Sequence, residues 1–396
     1  MANDITVWGW DVAAKSMNLT TDPYQEQHGG SVSIGQIGRE DLKNKFKSTL
    51  LSGSGAPGAA MMESVDAAAW VATDGLRDVS GWLDEAGIKD DFVSGKWEPL
   101  TKNGGVYALP WDIGPVGTFY RRDVFDEYGI SVDGIEMWEQ YIEEGKKLPD
   151  DQYLLNLPPN DYDGLWRMMF RQIGGQPFTE SGAVNIASDK SRRVAATLKR
   201  INDAGIANNL ASWSSEWFSA FGSGTTASLT AGAWIEGTLR AELPDTAGQW
   251  GVFKPPALES GGPRATNWGG SNLTIAQQTA DPVAWRAWDY MKFTLASKEM
   301  QLMMYADYGI FPALKPAYES NEFDTKNEFL DGQRAGRLFA EIAPKIEGYR
   351  YTPDTPEVTQ AINTHLRNMM NGNSTPQEAV EAAAQQVAKR TDRDLA

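Results

Sequence analysis

The order of elements in the first 66 residues constrains the fold most. Ile5-Thr6-Val7-Trp8 is a short, mostly apolar run that ends at Gly9-Trp10-Asp11. A helical segment carrying Tyr24 follows and stops at His28-Gly29-Gly30. Residues 31–34 read as a second strand. Residues 39–51 read as a helix, with Leu42, Phe46 and Leu50 on one face, ending in Ser52-Gly53-Ser54-Gly55-Ala56-Pro57-Gly58. Residues 59–62 form a third apolar run, followed by Glu63-Ser64-Val65-Asp66. The order β-α-β-α-β with buried strands requires a parallel sheet with right-handed crossovers. Ligands of such sheets bind beyond the carboxyl ends of the strands. Trp10, Asp11, Glu63 and Asp66 fall at that edge.

The chain then changes direction at residues 104–130. A run at 106–109 stops at Pro110. Trp111-Asp112 and a break at Gly114-Pro115 follow, and a second run at 116–120 feeds a short helix that closes on Gly129. An indole beside a carboxylate, next to a glycine-proline break, marks a first crossing between two lobes, with Trp111 and Asp112 in the cleft and Asp112 placed to meet both ligand and hinge. Further along, strand-like runs lie at 227–230, 251–253 and 273–276. Asp281-Pro282 reads as an N-cap with Pro at N1, Ser297 as the start of the next helix, and Thr375-Pro376-Gln377-Glu378 as a capping box. There is no internal repeat, and no linker long enough to separate independent domains.

A chain of 396 residues is long enough for two or three domains. No stretch approaches the roughly 18 apolar residues that span a bilayer. With 53 acidic and 36 basic residues the formal net charge is −17, which disfavours nucleic acid and anionic membrane as partners. Cysteine is absent, so disulfides, thiolate metal sites and cysteine nucleophiles are absent too. The opening MANDITVWGW has no basic n-region and no apolar h-region, which reads either as a cytosolic protein or as a mature form with its export signal replaced by a starting Met-Ala. Fifteen tryptophans are unusual. Trp10, Trp111, Trp234 and Trp268 lie beside glycine and polar residues rather than on an apolar helix face. Indoles offer flat apolar surfaces with a polar edge, which suits the C–H face and hydroxyl rim of a sugar ring.

These segments together resemble the extracellular solute-binding proteins of bacterial ABC importers, in the carbohydrate-binding group that includes maltose-binding protein. The resemblance covers nearly the whole chain. It rests on DITVWGW, LLSGSGAPGAAMM, GGVYALP followed by FYRRDVFDEYGI, MWEQYIEEGKKL, LTAGAWIEG, NWGGSNLTIA, WDYMKFTLASKEMQLMMYADYGIFPAL and STPQEAVEAA, all in the family's order. Arg121 stands after the hinge tyrosine where the family often has Asn, and Pro57-Gly58-Ala59 replaces a common Pro-Asp. The resemblance implies an α/β protein of the two-lobed periplasmic-binding-protein fold (type II) with the ligand cleft between the lobes. One lobe would hold residues 1–112 and 267–315, the other 113–266 and 316–396, with crossings near 110–116, 262–268 and 312–318. It further implies a monomer that delivers a sugar to ABC permease subunits, in the periplasm or outside the cell, with or without a lipid anchor. Covalent chemistry, a cofactor and a metal are not implied.

The ligand-binding candidates are Trp10, Asp11, Arg39, Asp66, Trp111, Asp112, Trp166, Trp234, Glu236, Trp268, Gly269, Gly270 and Arg350. Trp234, flanked by Glu236, stands where the family places a stacking aromatic. Gly269 and Gly270 let the backbone approach a ligand after Trp268. Asp66 and Asp112 match family positions for sugar contacts, since a carboxylate accepts from two adjacent hydroxyls. Trp111 is alternatively hinge core, and Trp166 core of the second lobe. Arg350, between Tyr349 and Tyr351, binds hydroxyls or an acidic sugar group, or is a surface cation with its stem on a tyrosine. Other ligands of the same fold stay open: a polyamine, a glycerol phosphate or a sugar acid. Asp161-x-Asp163-Gly164 reads as a helix start rather than a calcium loop. A carbohydrate-active enzyme is the less favoured reading, with two histidines, no G-x-S-x-G and no P-loop, although a glycosidase needs only two carboxylates.

Overall fold

The computed structural model describes residues 4–396. Two sheets organise it. The larger contains β1 (Asp4–Gly9), β2 (Ser31–Gln36), β3 (Ala59–Glu63), β4 (Ala108–Pro110) and β8 (Ser271–Thr274), in the order β2-β1-β3-β8-β4. β1 pairs in parallel with β2 and β3, as the β-α-β-α-β order requires. β8 enters later and runs antiparallel to both β3 and β4, so the sheet is mixed. The crossover helices are α1 (Asp11–His28) and α2 (Arg39–Ser52), and α3 (Ser64–Val71) follows β3 directly. α1 buries Ala13, Met17, Thr20 and Tyr24, a stripe at the three- and four-residue spacing that lays one helix face on the sheet.

The smaller sheet is antiparallel: β5 (Val116–Arg121) lies between β6 (Ser228–Gly232) and β7 (Trp250–Phe253). Every residue of β5 is buried, because both faces of this central strand are covered. Val116 and Tyr120 enter a core shared with α4 (Tyr162–Gln172), α5 (Asp189–Asp203), α9 (Thr355–Met370) and α10 (Pro376–Thr391). Phe119, on the opposite face, joins a core continuous with the larger sheet and packs on Phe339. α6 (Ile235–Glu242) follows β6, while α7 (Asp281–Leu295) and α8 (Lys298–Tyr308) follow β8.

The sheets are joined by a narrow ribbon. Residues 111–116 pair on one side with 311–313, through Ile113 N–H to Phe311 C=O (3.0 Å) and Ala313 N–H to Trp111 C=O (3.0 Å). On the other side they pair with 266–271, through Trp268 N–H to Gly114 C=O (2.8 Å), Val116 N–H to Thr266 C=O (3.0 Å) and Trp111 N–H to Ser271 C=O (3.1 Å). Gly114 is required here: a Cβ on it would lie 1.9 Å from the Trp268 carbonyl oxygen. Helix ends follow local rules with small shifts. Thr375 and Glu378 form the expected capping box, and Ser297 accepts from Met300 N–H. Asp281 is the first helical residue rather than the cap, which is Ala280.

Candidate functional site

The larger sheet brings three strand ends to one edge. β1 turns into α1 at Trp10, which is half-buried, and Asp11 takes a left-handed φ of 45°. β2 leads to Arg39 at the start of α2, and β3 ends at Glu63. Arg39 donates to Glu63 from Nε (2.8 Å) and from Nη2, and its Nη1 meets Glu40 (3.0 Å). Lys43 Nζ lies 2.9 Å from Asp66 Oδ2. Burial pushes the Glu63 carboxyl up, but Arg39, Arg167 and Lys43 outweigh it and hold Glu63 below the usual carboxylate range. Asp66 goes the other way: burial and the Glu63 charge raise it against the pull of Lys43.

The second lobe faces this edge with the start of α4. Asp163, Arg167 and Arg171 are spaced by four and share one face of the helix. Arg167 Nη1 meets Asp163 Oδ2 at 2.9 Å, and Thr359 Oγ1 also donates to that oxygen. Asp161 occupies the N-cap position, yet its side chain makes no cap hydrogen bond. Burial, then the Asp163 carboxyl, push Asp161 up to about 7, opposed by Arg167. Glu63 and Arg39 of the larger-sheet lobe also act on it. A second link between the lobes pairs Arg350 Nε with Glu98 Oε1 at 3.5 Å. Among the described residues no group of His, Asp and Glu side chains is arranged to hold a metal ion.

The aromatic surface comes from the ends of β6 and the ribbon. Trp234 follows Gly232-Ala233, and its Nε1 donates to the Trp268 carbonyl oxygen at 2.8 Å. Its ring stacks on Trp213, with centroids 5.9 Å apart and planes 27° from parallel. Trp213 is 52% exposed and has a φ of 70°, a left-handed conformation costly for a large side chain. Trp268 is half-buried and packs on both hydrophobic cores. Its ring lies so close to α4 that a Cβ on Gly164 would sit 2.2 Å from Cζ2.

Several expected contacts sit elsewhere. Trp111 is fully buried in the ribbon's core, with Nε1 unpartnered. Trp166 is fully buried in the second lobe, stacked on Phe170 at 4.6 Å, with Nε1 donating to Ser191 Oγ. Neither ring has a face open to the cleft, because glycines beside an indole do not expose it when other segments close over it. Asp112 is 5% exposed, and its Oδ1 accepts from Ser271 N–H at 2.6 Å. Its carboxylate braces the hinge rather than standing free in the cleft. Glu236 is buried on α6 and paired with Arg240 at 2.9 Å. Gly269 and Gly270, at φ 87° and 99°, shape the ribbon, and Gly270 C=O accepts from Ser64 N–H. Arg350 also donates from Nη1 to Phe178 C=O, so its guanidinium is largely engaged by protein.

Trp10, Asp11, Arg39, Asp66 and Trp234 stand at or just beyond the ends of β1, β2, β3 and β6, and Trp268 in the ribbon. Trp213, Lys43, Arg167 and Arg171 were not among the expected contacts. Trp213 carried the same signal as the others, an indole among serines, and the four-residue spacing from Asp163 through Arg167 to Arg171 was visible on the helix. Beside the ribbon is a cavity of about 360 Å³, lined by Ser64, Lys96, Ile113, Arg171, Lys315 and Tyr351 among others.

The chain and its fold are similar to known proteins. The chain is similar to a lactose-binding protein of Rhizobium radiobacter, 26% identical over 98% of this chain and 92% of the relative. It is similar to an arabinooligosaccharide-binding protein of Bacillus subtilis, 23% identical over 94% and 85% respectively. The solved structure of a Bifidobacterium animalis subsp. lactis ABC-transporter-associated binding protein, in complex with β-1,6-galactobiose, superimposes with a TM-score of 0.86 at 25% identity, covering 99% of this chain and 98% of the other. The unliganded and acarbose-bound GacH receptor of Streptomyces glaucescens shares the fold, with a TM-score of 0.83 at 20% identity over the whole of both chains. The family model described as "Bacterial extracellular solute-binding protein" matches residues 20–330, and with the two-lobed type II architecture and its cleft in place, the chain belongs to that family.

Proposed function

We propose that this protein is the substrate-binding component of an ABC importer that captures a sugar between two closing lobes. The ligand would be a monosaccharide, a short oligosaccharide or a glycoside, handed on to membrane permease subunits without covalent chemistry. The observation that carries this reading is the Trp213–Trp234 stack, tied to Trp268, at a cleft whose facing surfaces present carboxylates and guanidinium groups. Stacking platforms with a charged rim suit a ring that is apolar on its face and hydroxylated at its edge. The names of the lactose- and arabinooligosaccharide-binding relatives point the same way.

In this reading Trp10, Trp213, Trp234 and Trp268 form the platforms, and Asp66, Asp161 and Arg167 lie near the hydroxyl rim. The lobes comprise residues 1–112 with 267–315 and residues 113–266 with 316–396, and the three-stranded ribbon at 111–116 is the hinge. The protein acts as a monomer in the periplasm or at the outer cell surface. No helix of the described residues is long and apolar enough to cross a membrane.

A thermal-shift screen across mono- and oligosaccharides, sugar acids and polyamines tests the proposal. A sugar at a hundredfold excess over its Kd should stabilise the protein by about 2.7 kcal/mol and change tryptophan fluorescence, with no product formed. A shift given by a polyamine alone would replace the ligand class, and release of reducing ends would point to an enzyme.

A further inference from the structure

We propose that the hinge-side cavity is a subsite for the carboxylate of an acidic saccharide, so that the preferred ligand carries a uronate ring rather than being neutral. This deepens the sugar-binding reading and rests on it. The cavity is bordered by three cations, Lys96, Arg171 and Lys315, and by no Asp or Glu side chain. In a chain of net charge −17 that is unusual: the carboxylates that act on these cations, Asp112 and Glu63 on Lys96 and Glu347 on Arg171, stand behind the lining and leave the cavity wall itself cationic.

Arg171 is the central group. It is 7% exposed, held by one hydrogen bond from Nε to the Glu347 carbonyl oxygen (2.7 Å), with its guanidinium carbon 5.9 Å from the Tyr349 ring centroid. Among the described residues Nη1 and Nη2 have no hydrogen-bond partner, and no carboxylate lies within ion-pair distance. A planar fork with two free donors, desolvated beside a cavity, matches a carboxylate in bidentate geometry. Burial pushes its guanidinium down, opposed by Tyr351, Tyr349 and Glu347, so an incoming carboxylate would meet a desolvated cation that has no ion-pair partner.

The rest of the lining fits. Lys96 Nζ is held by three neutral oxygens, Ser64 Oγ (2.8 Å), Asp112 C=O (2.9 Å) and Ser271 C=O (3.0 Å). Burial lowers its pKa to about 8, opposed by the Asp112 carboxylate, and it makes no ion pair. Ser64 Oγ accepts from Lys96 and from Asn272 Nδ2 (3.3 Å), which leaves its own proton free to donate. Lys315 is exposed and also makes no ion pair among the described residues. Tyr318 and Tyr351 supply aromatic surface. About 360 Å³ falls within the range of small-molecule pockets, about 300–1,000 Å³, and far exceeds what a lone inorganic anion fills. The cations argue equally against a polyamine here.

The test is calorimetric titration of the full chain with a panel of uronates (galacturonate, glucuronate, mannuronate and their disaccharides), each beside its neutral parent, with sodium sulfate as the free-anion control. At least one uronate should bind about tenfold tighter than its parent, consistent with a charge-assisted bidentate contact. The advantage should shrink with added salt and fall to within about threefold in Arg171→Gln. Lys315→Gln, at an exposed position that leaves folding intact, should reduce the ratio in the same direction and carries the test if Arg171→Gln does not fold. Neutral parents that bind as well as every uronate would overturn this inference and leave sugar binding standing. So would a ratio unchanged in both variants, or a sulfate response equal to that of the uronates. Binding of neither class would overturn the sugar reading as well.

Discussion

The hinge ribbon and the aromatic face of the second lobe carry the same local vocabulary: an indole, a glycine two or three residues away and a nearby carboxylate. Their environments are opposite. In the ribbon, residues 111–116 are flanked on both sides by other segments, so Trp111 is sealed and the Asp112 carboxylate is taken up by Ser271 N–H. At the end of β6 the backbone is also held, with Ala233 N–H donating to Pro115 C=O and Trp234 Nε1 to the Trp268 carbonyl, but the Trp234 ring is only half-buried and stacks on the exposed Trp213. The difference teaches that glycine near tryptophan signals close backbone approach, and the approaching partner can be either a ligand or another strand.

Substitutions can break or sharpen this contrast. Trp111→Ala should cause the largest change, a loss of about 3–5 kcal/mol in apo stability from cavity formation, read as a fall in the denaturant midpoint. Asp112→Ala should cost about 1–3 kcal/mol in apo stability by leaving the buried Ser271 N–H unpaired. A loss of sugar affinity with apo stability unchanged would return Asp112 to the binding site and erase the contrast. Trp234→Ala should do the reverse, lowering sugar affinity by roughly tenfold, at the upper end of a stacking contribution, with a smaller effect on the apo transition. A stability loss as large as that of Trp111→Ala would show that the two indoles play one structural role.

A pH-dependent effect of similar size to that of Trp234→Ala is expected at Asp161. Its carboxyl, raised to about 7, binds more protons in the folded chain than in the unfolded one between about pH 4 and pH 7. Its contribution to stability therefore falls as pH rises through that window and is fully lost above about pH 7. Because Asp161 is only half-buried, the net effect should be roughly 1–2 kcal/mol. Comparing wild type with Asp161→Asn at both ends of the window checks it: the substitution should flatten the slope. An unchanged slope would place the titrating group elsewhere.

Much of the architecture was legible in advance. The β-α-β-α-β opening forced parallel pairing of the first three strands, because buried strands separated by helices have few other solutions. The antiparallel entry of β8 was not legible, since the direction of a strand returning at Ser271 after the chain left the sheet at Pro110 is set by the lobe in between. Trp10, Asp11, Glu63 and Asp66 were readable as edge residues from strand order alone. Trp111 and Trp166 stayed open between cleft and core, because an apolar ring has the same sequence neighbours whether it closes a core or faces a ligand.

By itself the sequence determined two α/β units, a glycine-proline break between them and a stock of indoles suited to ring stacking, because these follow from periodicity, backbone sterics and side-chain chemistry. Tertiary structure alone decided which indoles stay open and which carboxylates are spent on backbone groups. It also decided that Lys96, Arg171 and Lys315, far apart along the chain, border one cavity without a carboxylate among them. Long-range packing sets which charges are compensated, and that balance has no signature in the local order of residues.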